Sequence, residues 1–250
     1  LEPRATREER EAILAGAQGN PFVLEELAAA PSTGTPALAA SLRSRFRRLA
    51  SSEREAAELL ALLGRPAEPG ILPATAGALV EAGIAHVLGD GRLELRHALV
   101  ADAIRAELAP RSLRGRHRTL AGAVTDRGER ARHLAAAGER RQAHSLALEA
   151  AAEAALPGER GRNLALAAAT VDGPESVGLA LEAGRLLVEA NDHEAVAVLL
   201  EPLRCTSAAE EAERALVLGL SAFAAGDMPG YRRHVEDGLA IARGSATAIE

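Results

Sequence analysis

The chain has 250 residues, 29 basic and 35 acidic, giving a formal net charge of −6, with 48% hydrophobic and only 2% aromatic side chains. All 29 basic residues are arginine. The absence of lysine excludes from these residues a phosphate-binding loop with its GK[ST] lysine, a Schiff-base nucleophile and a pyridoxal-phosphate anchor; arginine cannot substitute as a nucleophile because its guanidinium stays protonated.

Alanine, leucine, glutamate and arginine favour helix over most of the length. Thr6 and Glu9 read as a capping box for a helix through Ile13 and Leu14 that stops within Gly16 to Gly19. Asn20 caps the next helix, with Pro21 at its first position and Phe22-Val23-Leu24-Glu25-Glu26-Leu27 following. After a loop from Pro31 to Pro36, a further helix carries Leu38, Leu42, Phe46 and Leu49 on one stripe. Arg43, Arg45, Arg47 and Arg48 fall mostly off it. Ser52 and Glu55 read as a second capping box, ahead of Ala56, Leu59, Leu60 and Leu63 at i, i+3, i+4 and i+7. Gly64-Arg65-Pro66 and Pro69-Gly70 break the chain, and a short helix from about Pro73 to Ala82 ends at Gly83. Ile84 to Leu88 and Arg92 to Arg96 flank Gly89-Asp90-Gly91, which predicts a β-hairpin. A helix from His97 to Leu108 stops at Pro110. Helix, helix, helix, hairpin is the plan of a winged helix.

From Ser112 onward the pattern is helix and turn. Ala183 to Leu203 places Asn191-Asp192 at a turn, and Leu218 to Ile241 repeats the plan with Gly226-Asp227. The turn aspartates are 35 residues apart, close to the tetratricopeptide period of about 34. Gly138-Glu139 before Arg140 to Ala155 looks like an earlier turn of the same kind, while the register is less distinct from Leu156 to Gly173. Such hairpins bury their faces against neighbours, which predicts a stack of helix pairs.

The residues that could carry chemistry are sparse. His86, His97, His117, His133, His144, His193 and His234 are scattered, without HExxH or paired-cysteine spacing, and no GxSxG elbow accompanies the serines. The single Cys205 excludes an intrachain disulfide and fits a reducing, cytoplasmic compartment. No apolar run approaches the roughly 20 residues that span a bilayer, so no membrane partner is expected. Arg43 to Arg54 and Arg111 to Arg118 are locally basic, but the third-helix candidate Ala74-Thr75-Ala76-Gly77-Ala78-Leu79-Val80-Glu81 has no Arg, Asn or Gln for base edges. The acidic balance points the same way, away from direct DNA binding, and assigns the arginines to packing and domain contacts. The chain opens on Leu1 and reads as an excerpt from a longer polypeptide.

One segment, Gly16-Ala17-Gln18-Gly19-Asn20-Pro21-Phe22-Val23-Leu24-Glu25-Glu26-Leu27, resembles the GNPFxLxEL signature that follows the nucleotide core of STAND-class regulatory ATPases. The resemblance is strongest to the large ATP-binding LuxR-type bacterial transcription regulators. Further similarities follow in the same order. Pro36 to Leu49 resembles the linker helix, Leu59 to Arg65 the winged-helix core, and Leu93 to Leu108 the FRHxLVRxAI segment. Arg116 to Ala121 is similar to LHRxLA, and His133 to Ala143 to HLxxAGxxxxA. Together they cover about residues 12 to 155, each short, their order and spacing carrying the specificity.

This resemblance implies a mostly α chain: a helical lid of a STAND ATPase at 1–49, a winged helix with one β-hairpin at 50–110, and an α-solenoid of tetratricopeptide-like helix pairs at 111–250. It implies that Pro21 packs against the adenine with Gly19 allowing the close approach, and that His97 nears the ADP β-phosphate at a helix N-terminus. ATP or ADP would be the cofactor of the full-length protein, with no tight binding by this part alone and no catalysis by it. The implied partners are the protein's own upstream ATPase core and an inducer or protein on the repeats. DNA would be reached only through a domain outside these residues. The stretch from Pro66 to Ala76 is short for the family's winged helix. Two other readings fit the residues: a protein-interaction scaffold of helical repeats, and the same module attached to a kinase or cyclase effector.

Overall fold

The computed structural model describes residues 44–96 and 98–247. The predicted helices through Ile13 and Leu14 and through Phe22 to Leu27 lie outside the described residues, as does the rest of the segment predicted as a lid, 1–49, up to residue 43. The described residues are mostly helical, with a single two-stranded antiparallel hairpin. The chain divides into two compact units, Leu1–Ala123 and Val124–Glu250.

In the first unit, residues 44–48 are helical and bury Phe46, with Leu49 buried just beyond. Arg54 ties this end down: its Nη2 donates to the carbonyls of Arg47 (3.0 Å) and Leu49 (3.2 Å), and its guanidinium lies 5.7 Å from the Phe46 ring centroid. Helix α1 (Ser51–Leu63) begins earlier than the Ser52/Glu55 capping box predicts. Its N-cap is Ala50, whose N–H donates to Glu53 Oε2 at 2.8 Å. Alanine has no side-chain oxygen, so only the glutamate half of a capping box exists there. The predicted stripe of Ala56, Leu59, Leu60 and Leu63 is buried, and Gly64 ends the helix at φ +73°.

A 3₁₀ turn (Ala74–Gly77) runs into the one-turn helix α2 (Ala78–Glu81), which buries Leu79 and stops before Gly83. Strands β1 (Ala85–Val87) and β2 (Leu93–Leu95) pair Ala85 with Leu95, His86 with Glu94 and Val87 with Leu93. Gly91 takes φ +82°, and Asp90 Oδ1 accepts the Arg92 N–H at 3.1 Å, as the predicted turn chemistry requires. Ala67 adds a bridge that sequence did not predict, exchanging both backbone hydrogen bonds with Leu93 at 2.8 and 3.0 Å. Helices α3 (Ala98–Glu107) and α4 (Pro110–Ala123) pack on α1. Leu59, Leu60, Leu79, Ile84 and Ile104 are essentially without exposure, each such burial being worth roughly 1.5–3 kcal/mol.

The second unit contains α5 (Arg127–Ala137), α6 (Arg140–Glu153), α7 (Pro157–Thr170), α8 (Pro174–Glu189), α9 (His193–Leu200), α10 (Ala208–Ala224) and α11 (Met228–Thr247). Each packs on the next in sequence, and α8 also packs on α10. Three helix ends share one construction. Gly138, Asn191 and Gly226 take φ of +86°, +57° and +79°, and each donates to the carbonyl three residues back at 3.0 Å. The next residue donates to the carbonyl five back: Glu139 to Leu134, Asp192 to Leu187 and Asp227 to Ala222, at 2.8–2.9 Å. Asp192 and Asp227 then cap the following helices, accepting from Ala195 (3.3 Å) and Gly230 (3.0 Å). The 35-residue register read from the turns extends to the helix bounds. Helices α8 and α10 end at Glu189 and Ala224, and α9 and α11 begin at His193 and Met228. Leu181, Leu187, Val196, Leu200, Val217 and Leu218 form the core of this part.

Candidate functional site

Gly19, Pro21 and His97, the residues to which the family resemblance assigns nucleotide contacts, lie outside the described residues. The described neighbours of position 97 are the hairpin, closed by Arg96 N–H donating to Ile84 O at 3.1 Å, and α3, which begins at Ala98.

The arginine clusters are built into the fold. On α4, Arg116 reaches across to α1, its Nη1 2.6 Å from Glu55 Oε1 and its Nε 2.7 Å from Glu58 Oε2, and Glu58 is buried. Arg47 pairs with Glu107 at 3.0 Å, and Arg48 donates to Ser44. Arg105 donates twice to Ala61 O, at 3.0 and 2.6 Å, satisfying a carbonyl that the end of α1 leaves open. Arg47, Arg48 and Arg116, from the basic segments, and Arg105 outside them are thus engaged within the first unit.

Within the first unit a groove of about 230 Å³ runs between the end of α1, β2 and α3, lined by Leu60, Ala61, Gly64, Arg65, Glu94, Leu95, Ala101 and Arg105. Its cations are already engaged. Arg105 holds Ala61 O, and Arg65 donates to Pro66 O and to Glu68, whose carboxyl it holds below the usual range.

Within the second unit a groove of about 490 Å³ lies against α10 and α11, lined among others by Glu201, Glu211, Arg214, Leu218, Arg233, His234 and Asp237. Arg214 is spent on structure: its Nη1 donates to Leu200 O (3.2 Å) and Glu201 O (3.4 Å), and its Nη2 pairs with Glu211. That pairing holds the Glu211 carboxyl below its ordinary value. Cys205 stands nearby, its thiol pushed up to about 11 by burial and then by its hydrogen bond with Glu211. A thiol so placed stays protonated at neutral pH and is a poor nucleophile. Burial lowers the His234 pKa, and Arg233 beside it does the same. Among the described residues no group of three or more His, Cys, Asp or Glu is placed to hold a metal ion, and no helix is long and apolar enough to cross a membrane.

What the sequence reading missed is a surface. Leu216, Leu220 and Phe223 recur at i, i+4 and i+7 on α10, and all three are exposed. Apolar residues on both sides of α10 concealed which side the neighbouring helices cover. No known protein family, no curated protein and no solved structure matches the chain.

Proposed function

We propose that this chain is the regulatory and sensor segment of an ATP-dependent, LuxR-type transcription regulator of the STAND class. The reading rests on one succession within a single chain. A helix–short helix–hairpin–helix order from Ser51 to Glu107 is followed by a succession of helices, the last two pairs of which share turns and bounds at a 35-residue interval. The ordered motifs from about residue 12 to 155 support the same reading. In it, residues 1–49 are the ATPase lid, 50–110 the winged helix and 111–250 a tetratricopeptide-like solenoid.

The segment performs no catalysis here. Lid and winged helix close over nucleotide bound to the upstream ATPase core, with Gly19 and Pro21 against the adenine and His97 near the ADP β-phosphate. An inducer or partner on the repeats stabilises one of the two arrangements, which couples its site to the nucleotide by a reciprocal free energy. DNA is met by a domain outside these residues.

Calorimetric titration of the 250-residue chain with ATP and magnesium tests the division of labour. Little binding is expected, and tight magnesium-dependent binding contradicts the reading. In a polypeptide carrying the ATPase core, His97→Ala should speed ADP release and raise basal activity; unchanged retention removes His97 from the mechanism. A second reading, a protein-interaction scaffold, is favoured by the exposed apolar stripe of α10.

A further inference from the structure

On α10, Glu211, Arg214 and Leu218 recur at i, i+3 and i+7, on the face away from the exposed Leu216, Leu220 and Phe223. They form the floor of the groove of about 490 Å³, with Glu201 at the end of α9 on one side and Arg233, His234 and Asp237 of α11 on the other. The groove opens where α9 stops short. Helix α7, which packs on α8, runs for 14 residues, whereas α9, in the same place before α10, ends after 8. The 35-residue register then shows how the exposed positions differ from their counterparts. Those of Arg214 and His234 are Leu179 and Leu199, which both pack on the apolar cluster of Ala151, Leu164 and Ala183. Positions that are apolar packing in one pair therefore carry a guanidinium and an imidazole in the next.

The charges in the groove are of both signs and only partly spent. Arg214 is committed to Glu211 and to the carbonyls of Leu200 and Glu201. Among the described residues the side chains of Glu201, Arg233 and Asp237 make no ion pair or hydrogen bond, although Arg233 and Asp237 stand one turn apart. All of these charges bear on His234. After burial, the largest cause of its lowered pKa, Arg233 and Arg214 lower it further while Asp237 and Glu201 raise it. An anion alone would meet Glu201 and Asp237, and a cation alone would meet Arg233 and Arg214. A molecule carrying both charges satisfies both sets. Leu218 and Ile241 add an apolar surface beside them, and the volume lies within the roughly 300–1,000 Å³ of small-ligand pockets.

We propose that this groove binds an apolar zwitterion, a free amino acid or short peptide of the leucine type. Its carboxylate lies on Arg233, its ammonium on Asp237 and Glu201, and its side chain on Leu218 and Ile241. The binding needs neither nucleotide nor another domain, so its failure leaves the nucleotide reading untouched, and the reverse also holds.

Calorimetric titration of the whole chain with leucine and with the dipeptide Leu-Leu tests the proposal. At least one should bind with a dissociation constant of about 1 mM or tighter, and which of them does so identifies the source. Isocaproate, which lacks the ammonium, and leucinamide, which lacks the carboxylate, should each bind about tenfold more weakly or worse. Arg233→Gln and Asp237→Asn, both at exposed positions, should each weaken the zwitterion by about tenfold with the helical circular dichroism unchanged. Arg141→Gln, at an exposed position of α6 outside the groove, should leave binding intact. Absence of binding up to about 10 mM overturns the proposal. So does equal affinity for leucinamide or isocaproate, or binding indifferent to both groove substitutions. Inorganic phosphate that binds as tightly as the zwitterion makes the groove an anion site and overturns it as well.

Discussion

Gly184 has room for a hydrogen and nothing larger. A methyl group there would lie 2.7 Å from Leu200 Cδ1 and 3.3 Å from Val217 Cγ1. Gly184→Ala must therefore displace Leu200, a fully buried residue, and should destabilise the second unit by about 1–3 kcal/mol. At Gly219, its counterpart, the nearest atom to an added methyl is 3.6 Å away. Gly219→Ala should be neutral or stabilising, by up to about 1 kcal/mol, because alanine is the better helix former. Urea unfolding of the two variants decides the matter, and equal effects would refute the packing account. Arg116 makes a second residue-scale test. Removing it leaves Glu55 and the buried Glu58 facing each other without their shared cation, so Arg116→Ala should cost on the order of 2 kcal/mol. Adding Glu58→Gln should recover part of that loss in the same measurement. The sequence marked Arg111 to Arg118 as a basic run but could not single out Arg116, whose partners lie 58 and 61 residues away.

At the scale of elements, the features legible in sequence were those whose causes are local. A left-handed residue followed by a capping aspartate is a two-residue signal, so the turns at Asn191-Asp192 and Gly226-Asp227 could be read with their register. The hairpin was equally readable, since Gly91 and Asp90 supply its turn within a few residues. The start of α1 was misplaced because Glu53 and Glu55 both suit the third helical position, and the true cap, Ala50, carries no side-chain signal. The Ala67–Leu93 bridge was invisible because a single long-range backbone pair leaves no periodicity. The turn mechanism predicts its own mutational pattern. Asn191→Gly should stabilise modestly and Asn191→Ala destabilise by about 1 kcal/mol, because φ +57° penalises a Cβ without a compensating side-chain dipole. Asp192→Ala removes the cap on Ala195 and the 3.1 Å pair with Arg162, and should likewise lose about 1 kcal/mol. Thermal melts should place Asn191→Gly above the two alanine variants; a melting temperature for Asn191→Ala at or above that of Asn191→Gly would defeat the left-handed account.

Acidification probes the whole molecule, because each unit holds one partly buried histidine whose pKa is lowered. Burial lowers His117 in the first unit, and burial followed by Arg233 lowers His234 in the second, with Arg214 adding to the effect and Asp237 and Glu201 opposing it. The sign follows from linkage. A histidine whose folded pKa lies below its unfolded value of 6.5 binds fewer protons folded than unfolded in the interval between them. Stability is then unaffected above that value and falls as pH drops through 6.5, until the folded groups also protonate. Carboxylates held low by arginine, Glu68 by Arg65 and Glu211 by Arg214, lose their contributions only further down, as pH falls through and below 4.5. Two separate declines are therefore expected, the first belonging to the histidines. Denaturant unfolding at pH 7.5 and 5.5 should show the wild-type chain weaker at 5.5. His117→Gln and His234→Gln should each flatten that difference in their own unit, with the decline below pH 4.5 left in place. A wild-type chain equally stable at both pH values, or glutamine variants that keep the full difference, would place the acid sensitivity elsewhere than in these two partly buried imidazoles.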